Sequence, residues 1–265
     1  MAARKKGIAG PSPRFSLLEG DPAGPISELS PGFDELSDMV FVPDDLRDRY
    51  EVHSWRNAAT VLYAAHGNEW SDILEVLRGF RLRKSYVVKD QDGDSEEPEE
   101  AEGGGQKSKI SKALDGAFYQ RGWFETIFRT KVEVSAERRV SRNKDAPGQR
   151  FDLRQYSAPT HYIDCYKNRV GLEVQWNNKD PFFDRDLNNF RLLFDLRVID
   201  VGVIITRSTE LQEFFKTVLP RGAYKKYSRN TTHMEKLVPL LQGGGGGGCP
   251  ILVFGLSPQL FDKDS

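Results

Sequence analysis

The chain has 265 residues, 38% of them apolar, with 38 Lys and Arg against 39 Asp and Glu, which is enough for one large domain or two small ones around a sizeable core. No run of 18 apolar residues occurs, so no membrane-spanning helix is expected. Two cysteines make neither a disulfide framework nor a zinc cluster, and the basic start Met1–Lys6 runs into Gly and Pro instead of an apolar segment; a reducing, cytoplasmic setting without a secretory signal is expected.

The near-neutral charge conceals an asymmetry. Residues 90–102 hold eight acids and no base, and without them 31 acidic residues face 38 basic ones. That mildly basic remainder suits a polyanionic partner without requiring one. In chain order, residues 1–40 are rich in Pro, Gly and Ser and read as a flexible arm. Residues 41–258 read as a single domain, followed by a tail at 259–265. From Leu46 the pattern is helical. Trp55, Ala58, Ala59, Leu62, Tyr63 and Ala65 recur at three-to-four-residue spacing, and after a turn at Gly67–Asn68 a second helix carries Trp70, Ile73, Leu74, Val76 and Leu77 to Gly79. These helices are either core or a dimer face. Phe80–Val88 is basic, aromatic and strand-like. The acidic tract and its glycines, residues 90–106, read as a solvated, flexible insertion.

Ser108–Phe128 is again amphipathic, with Ile110, Ala113, Leu114, Ala117, Phe118, Trp123, Phe124, Ile127 and Phe128 in the pattern and Ser111 as a helix start. Lys131–Val134 extends as a strand. The basic loop Arg138–Arg150 either touches phosphates or is simply solvated.

Tyr162–Trp176 is the most informative stretch. A short apolar-aromatic run carrying Asp164 is followed by polar Lys167-Asn168-Arg169 and by a second run from Leu172 to Trp176. Strict alternation there puts Leu172, Val174 and Trp176 on one face and Glu173 and Gln175 on the other. If the two runs pair as a hairpin, Asp164 comes close to Glu173 and Gln175. Two carboxylates at a strand rim repel each other unless a cation lies between them, and hard oxygen ligands suit Mg²⁺. The same pattern would also be shown by any half-exposed antiparallel sheet. Cys165, on the opposite face from Asp164, reads as core.

Asn177-Asn178-Lys179-Asp180-Pro181 is a turn. Residues 184–197 form a helix with Leu187, Phe190, Leu193 and Phe194 on one stripe, and Val198–Ile205 is apolar enough for a central parallel strand. With Leu172–Trp176 these make a βαβ unit. Glu210–Val218 is a further helix. Arg221–His233 interleaves Tyr, basic, hydroxyl and amide side chains; it is either a surface that reads phosphates and base edges or an ordinary capped loop. Thr232 with Glu235 fits a capping box opening a helix to Leu241. Six glycines, Gly243–Gly248, lead into a last apolar strand, Ile251–Phe254.

Asp164, the nine-residue step to Glu173-Val174-Gln175 and the following Trp176-Asn177-Asn178 resemble the BglII-like branch of type II restriction endonucleases. The helix from Asp184, the strand ending Val203-Ile204-Ile205-Thr206, and Lys226-Tyr227-Ser228-Arg229 with Thr231-Thr232-His233-Met234 continue the likeness over about Tyr50–Gly255. The resemblance implies an α/β restriction-endonuclease-like fold, a mixed central sheet flanked by helices, and a homodimer that cuts both strands of a short palindromic double-stranded DNA site. It also implies a restriction-modification system with a cognate DNA methyltransferase. Asp164, Glu173 and the main-chain carbonyl of Val174 would then hold Mg²⁺, and Gln175 would orient the attacking water. Most members of the wider nuclease superfamily carry Lys where Gln175 stands. Gln cannot act as a general base, so the proton would leave through water acidified by the cation. A polar residue of the preceding helix, Ser108 or Ser111, would assist. DNA contacts would come from Lys225, Lys226, Ser228, Arg229, Asn230, Thr231, Thr232 and His233, with Asn177 and Asn178. The alternatives are a non-cleaving DNA-binding protein of the same fold, or a repair or structure-specific nuclease.

Overall fold

A computed structural model of the protein describes residues 38–88, 107–138, 148–178, 181–227 and 230–262. The expected arm up to residue 37, the acidic insertion and the middle of the basic loop lie outside the described residues. Eight strands are described: β1 Tyr50–Trp55, β2 Leu82–Arg83, β3 Phe124–Arg138, β4 Gln149–Lys167, β5 Val170–Val174, β6 Val201–Arg207, β7 Ile251–Leu256 and β8 Phe261–Asp262. The helices of eight or more residues are α1 Ala58–Ala65, α2 Gly67–Gly79, α3 Lys109–Tyr119, α4 Phe182–Asp195, α5 Leu211–Val218 and α6 Met234–Gln242.

Six strands form one sheet in the order β1-β7-β6-β5-β4-β3, and β2 pairs with β8 apart from it. The three central strands are parallel and their neighbours antiparallel, a mixed sheet. β5, β6 and β7 are buried along their whole length, as expected of strands covered on both faces. The expected βαβ unit is present as β5, α4 and parallel β6. Leu172, Val174 and Trp176 enter one apolar layer with α1, α2, α3 and α5; α4 and α6 pack on the opposite face with Ile204, Ile251 and Val253. Gly171 and Gly202 are paired across β5 and β6. A Cβ on Gly202 would stand 2.5 Å from the Phe190 ring, so the two glycines make the slot that seats α4.

Several elements differ from the sequence reading. Trp55 belongs to β1, paired with Ile251, because the helix starts only at Ala58 after Arg56 and Asn57 turn left-handed. The break between the first two helices falls at His66, and Gly67–Asn68 already belong to α2. The strand-like segment after Phe80 is only two residues of strand before a helical turn, Lys84–Val87. Phe124–Phe128 is not helical; it begins β3, after positive-φ Gly122 ends the helical segment. That strand pairs far beyond Lys131–Val134 with β4, so Arg138, Gln149 and Arg150 at the two ends of the expected basic loop belong to a long antiparallel ribbon. At the other end, Asp38 is buried and accepts hydrogen bonds from the Ala59 and Thr60 amides at 3.0 and 2.6 Å, and Leu260 is buried beside the β2–β8 pair.

Candidate active site

β4 and β5 form the expected hairpin, with Cys165, Tyr166 and Lys167 paired to Leu172, Gly171 and Val170. Asn168 and Arg169 both have positive φ, which gives a two-residue turn whose twist matches the strands. Asn168 is held by Glu69 at 2.7 Å and Arg169 by Asp200. The register carries Asp164 opposite Glu173, one step beyond Cys165 and Leu172. β4 also has one residue more than β3 between Ile163 and Tyr166, a bulge at the position of Asp164. Bulges re-aim side chains. Ile163 accordingly enters the α4 layer and Cys165 the opposite one, while Asp164 stays half-buried at the rim.

The Asp164 carboxylate accepts the Val174 amide at 3.1 Å on one oxygen and the Lys107 ammonium at 2.8 Å on the other. Lys107 also donates to Asp115 of α3 at 3.0 Å. Burial first, then the Asp164 charge, pushes the Asp115 pKa up to about 6. Ser111 is buried on the same helix, but Ser108, not Ser111, is its N-cap, receiving the Ser111 amide at 3.0 Å.

Glu173 and Gln175 share a face as expected, yet α4 covers that face, leaving them 1% and 2% exposed. Glu173 meets Asp186 of α4 there. Burial, then the Asp186 and Asp164 charges, pushes the Glu173 pKa well above the carboxylate range. Burial also lifts Asp186 to about 7, against the opposing pull of Arg185. One oxygen of Glu173 and one of Asp186 have no hydrogen-bond partner. Buried carboxylates normally find partners, so these two oxygens mark a deficit of positive charge. Among the described residues, no three His, Cys, Asp or Glu side chains gather as a metal-holding group. A cation here would rest on Asp164, Glu173 and a main-chain carbonyl such as that of Val174, an all-oxygen set that suits Mg²⁺.

Gln175 is fixed rather than free. Its side-chain oxygen accepts from Asn178, its amide is hydrogen-bonded to Asp186, and its main-chain oxygen accepts from Thr206 and Thr232 at 2.9 and 3.2 Å. The inner half of the basic run braces this strand end. The Thr232 amide donates to the Asn178 carbonyl at 2.8 Å, and the Asn178 amide donates back to the Thr232 hydroxyl at 3.2 Å. Thr232 is thereby taken from the expected capping box, and α6 opens at His233 without a side-chain cap. Thr231, Thr232 and His233 are buried; Lys225, Lys226 and Asn230 are exposed; Asn177 and Asn178 are half-buried; Ser228 and Arg229 lie outside the described residues. Arg207, fully buried at the end of β6, donates to the Thr232 and Tyr227 carbonyls at 3.0 Å and to the Thr231 hydroxyl. It packs over Trp176 and Tyr227, and burial lowers its pKa to about 10.

The chain's residues 50–256 match the family model described as restriction endonuclease BglII/BglIII. The chain belongs to this family. It is a type II restriction endonuclease, and the mixed sheet with its flanking helices is consistent with a restriction-endonuclease-like fold. No curated protein matches the sequence. Lys107, Asp115 and Asp186 were missed in the sequence. Asp115 and Asp186 carried a signal, each an acid on the buried side of an amphipathic helix, next to Leu114 and Leu187. Lys107 carried none, because 57 residues separate it from Asp164.

Proposed function

We propose that this endonuclease hydrolyses one phosphodiester in each strand of a short palindromic duplex, using Mg²⁺ held by Asp164, Glu173 and the Val174 carbonyl. The observation that carries the reading is the unpartnered oxygen of Glu173, buried across the hairpin from Asp164. A buried acid with its charge uncompensated is expected where a cation binds. When bound, the cation supplies charge neutralisation at the scissile phosphate and acidifies water. Asp164 orients through the Val174 amide, and Gln175, clamped by Asn178 and Asp186, fixes where the attacking water is directed. Lys225, Lys226, Ser228, Arg229 and Asn230 meet the DNA, while Asn177, Asn178, Thr231, Thr232 and His233 hold the contact surface against the strand end. The enzyme works as a homodimer, whose two-fold axis matches a palindrome. It is cytoplasmic, without a membrane partner, and functions with a cognate methyltransferase in a restriction-modification system.

Incubation with a long sequenced duplex tests this reading. Discrete fragments of constant size are expected with Mg²⁺ and none with EDTA, while Asp164→Asn and Glu173→Ala abolish cutting and DNA binding persists. Full-rate cleavage by both variants would dispose of the assignment. Smeared products, or nicks that follow DNA structure, would replace restriction with repair chemistry.

A further inference from the structure

Hydrolysis of a phosphodiester builds negative charge on the phosphate, yet Asp164, Glu173 and Gln175 bring no positive side chain to meet it. Two cations border these acids. Arg185 contacts Asp186 at 3.0 Å through two of its nitrogens and lies 4.5 Å over the Phe182 ring. Lys107 is placed differently. An ammonium has three donors, and two are spent on Asp164 and Asp115 at 2.8 and 3.0 Å. Glu125 stands at 3.8 Å, beyond hydrogen-bond reach. Among the described residues nothing takes its third donor, and the side chain is 38% exposed. Lys107 also lines a cleft of about 350 Å³ together with Lys109, Lys112 and Lys226. Among the described residues, no carboxylate pairs with Lys112 or Lys226. A cleft of this size and charge beside the Asp164 carboxylate can take the phosphates of a DNA strand.

We infer that Lys107 is a catalytic residue of the cleavage reaction: its free N–H binds a non-bridging oxygen of the scissile phosphate while its other two keep Asp164 and Asp115 in place. The inference rests on the reading of Asp164 and Glu173 as the hydrolytic centre. No proton changes hands at Lys107. Water adds to phosphorus and gives its proton to solvent, the bond from phosphorus to the leaving oxygen breaks, and that oxygen takes a proton from solvent. The ammonium stabilises the charge that gathers on the phosphoryl oxygens between those events. The competing account makes Lys107 a counter-ion that fills the carboxylate site in the free chain and gives way to the metal.

Lys107→Met, which keeps the stem and removes the charge, separates the two, with Asp164→Asn as reference. Three quantities are measured: the single-turnover cleavage rate at saturating duplex and Mg²⁺, duplex affinity in Ca²⁺, and Mn²⁺ binding to the DNA-free protein by electron paramagnetic resonance. The expected result is a rate about 10²–10³-fold lower, as for loss of one transition-state donor, with Mn²⁺ affinity unchanged or tighter and duplex affinity within about tenfold, as befits one phosphate contact. Should near-UV circular dichroism report a misfolded Lys107→Met, Lys107→Gln replaces it with the same expectations. A rate within threefold of the parent, with Asp164→Asn inactive, would overturn the assignment of Lys107 and leave the hydrolytic centre standing. Loss of Mn²⁺ binding would also overturn it, by making the lysine a spacer for Asp164. Full-rate cleavage by Asp164→Asn would instead bring down the reading beneath it.

Discussion

Asp186 is the acid whose burial has the most direct consequence for stability. It is fully buried with one unpartnered oxygen, and its pKa is lifted to about 7 against an unfolded value of about 3.9. A raised folded-state pKa means that the native chain binds the proton more tightly than the unfolded chain does. The stability from this group is therefore fully present below pH 4 and is lost as pH rises through 7. A tenfold difference in proton affinity between the two states corresponds to about 1.4 kcal/mol, so holding Asp186 buried costs the folded chain on the order of a few kcal/mol at pH 8 and distinctly less at pH 5, where it keeps its proton. Asp186→Asn keeps the shape and cannot ionise. In EDTA, the stability of the variant relative to the parent is expected to grow by a few kcal/mol between pH 5 and pH 8, several degrees in Tm for a domain of this size. Urea unfolding of both proteins at pH 5, 6, 7 and 8 reads this directly. Parallel pH profiles would refute the account, since they would mean that Asp186 does not titrate differently in the folded chain.

Three further substitutions probe the brace and the DNA-facing side. Arg207→Met leaves the Thr232 and Tyr227 carbonyls without their donor; a loss of about 2–4 kcal/mol in urea unfolding is expected, and an unchanged midpoint would deny the brace. Lys225→Ala and Lys226→Ala should each weaken duplex binding evenly across sequences and lower the log–log salt slope by about 1, which fluorescence anisotropy at several salt concentrations measures; an unaltered slope would take these lysines off the phosphates.

What the sequence disclosed depended on the range over which its signals act. Alternation in Leu172–Trp176 is local, and it correctly assigned the apolar face of β5. The β-branched run of β6 and the spacing of α4 are local too, and the βαβ unit follows from them. Trp55 and Phe124–Phe128 were misread because an alternating strand residue and a helical stripe residue look alike when a helix lies next door. The left-handed pair Arg56–Asn57 and the positive φ of Gly122 are what separate them. That Glu173 and Gln175 are covered was invisible, because the cover is a helix whose own acid, Asp186, meets them only after α4 folds back onto the sheet. Thr232 likewise offered a plausible cap by spacing, but the partner that wins it, Asn178, comes from 54 residues away.

Three acids at one end of the sheet, Asp115, Glu173 and Asp186, are all held with raised pKa values, and in each case burial is the largest cause. Apolar side chains of similar volume would be expected to leave such a site neutral or more stable, so stability alone does not account for these carboxylates. They are also not scattered. Asp115 reaches Asp164 through Lys107, Asp186 reaches Glu173 across α4, and Asp164 and Glu173 face each other across the hairpin. Destabilising groups that converge from three separate elements on a single strand rim are expected at a functional site. The Asn178–Thr232 clasp and buried Arg207 bind the basic run to that same rim. On the proposed reading, a shift in how the run sits on DNA would be felt at Gln175, because Asn178 joins the two.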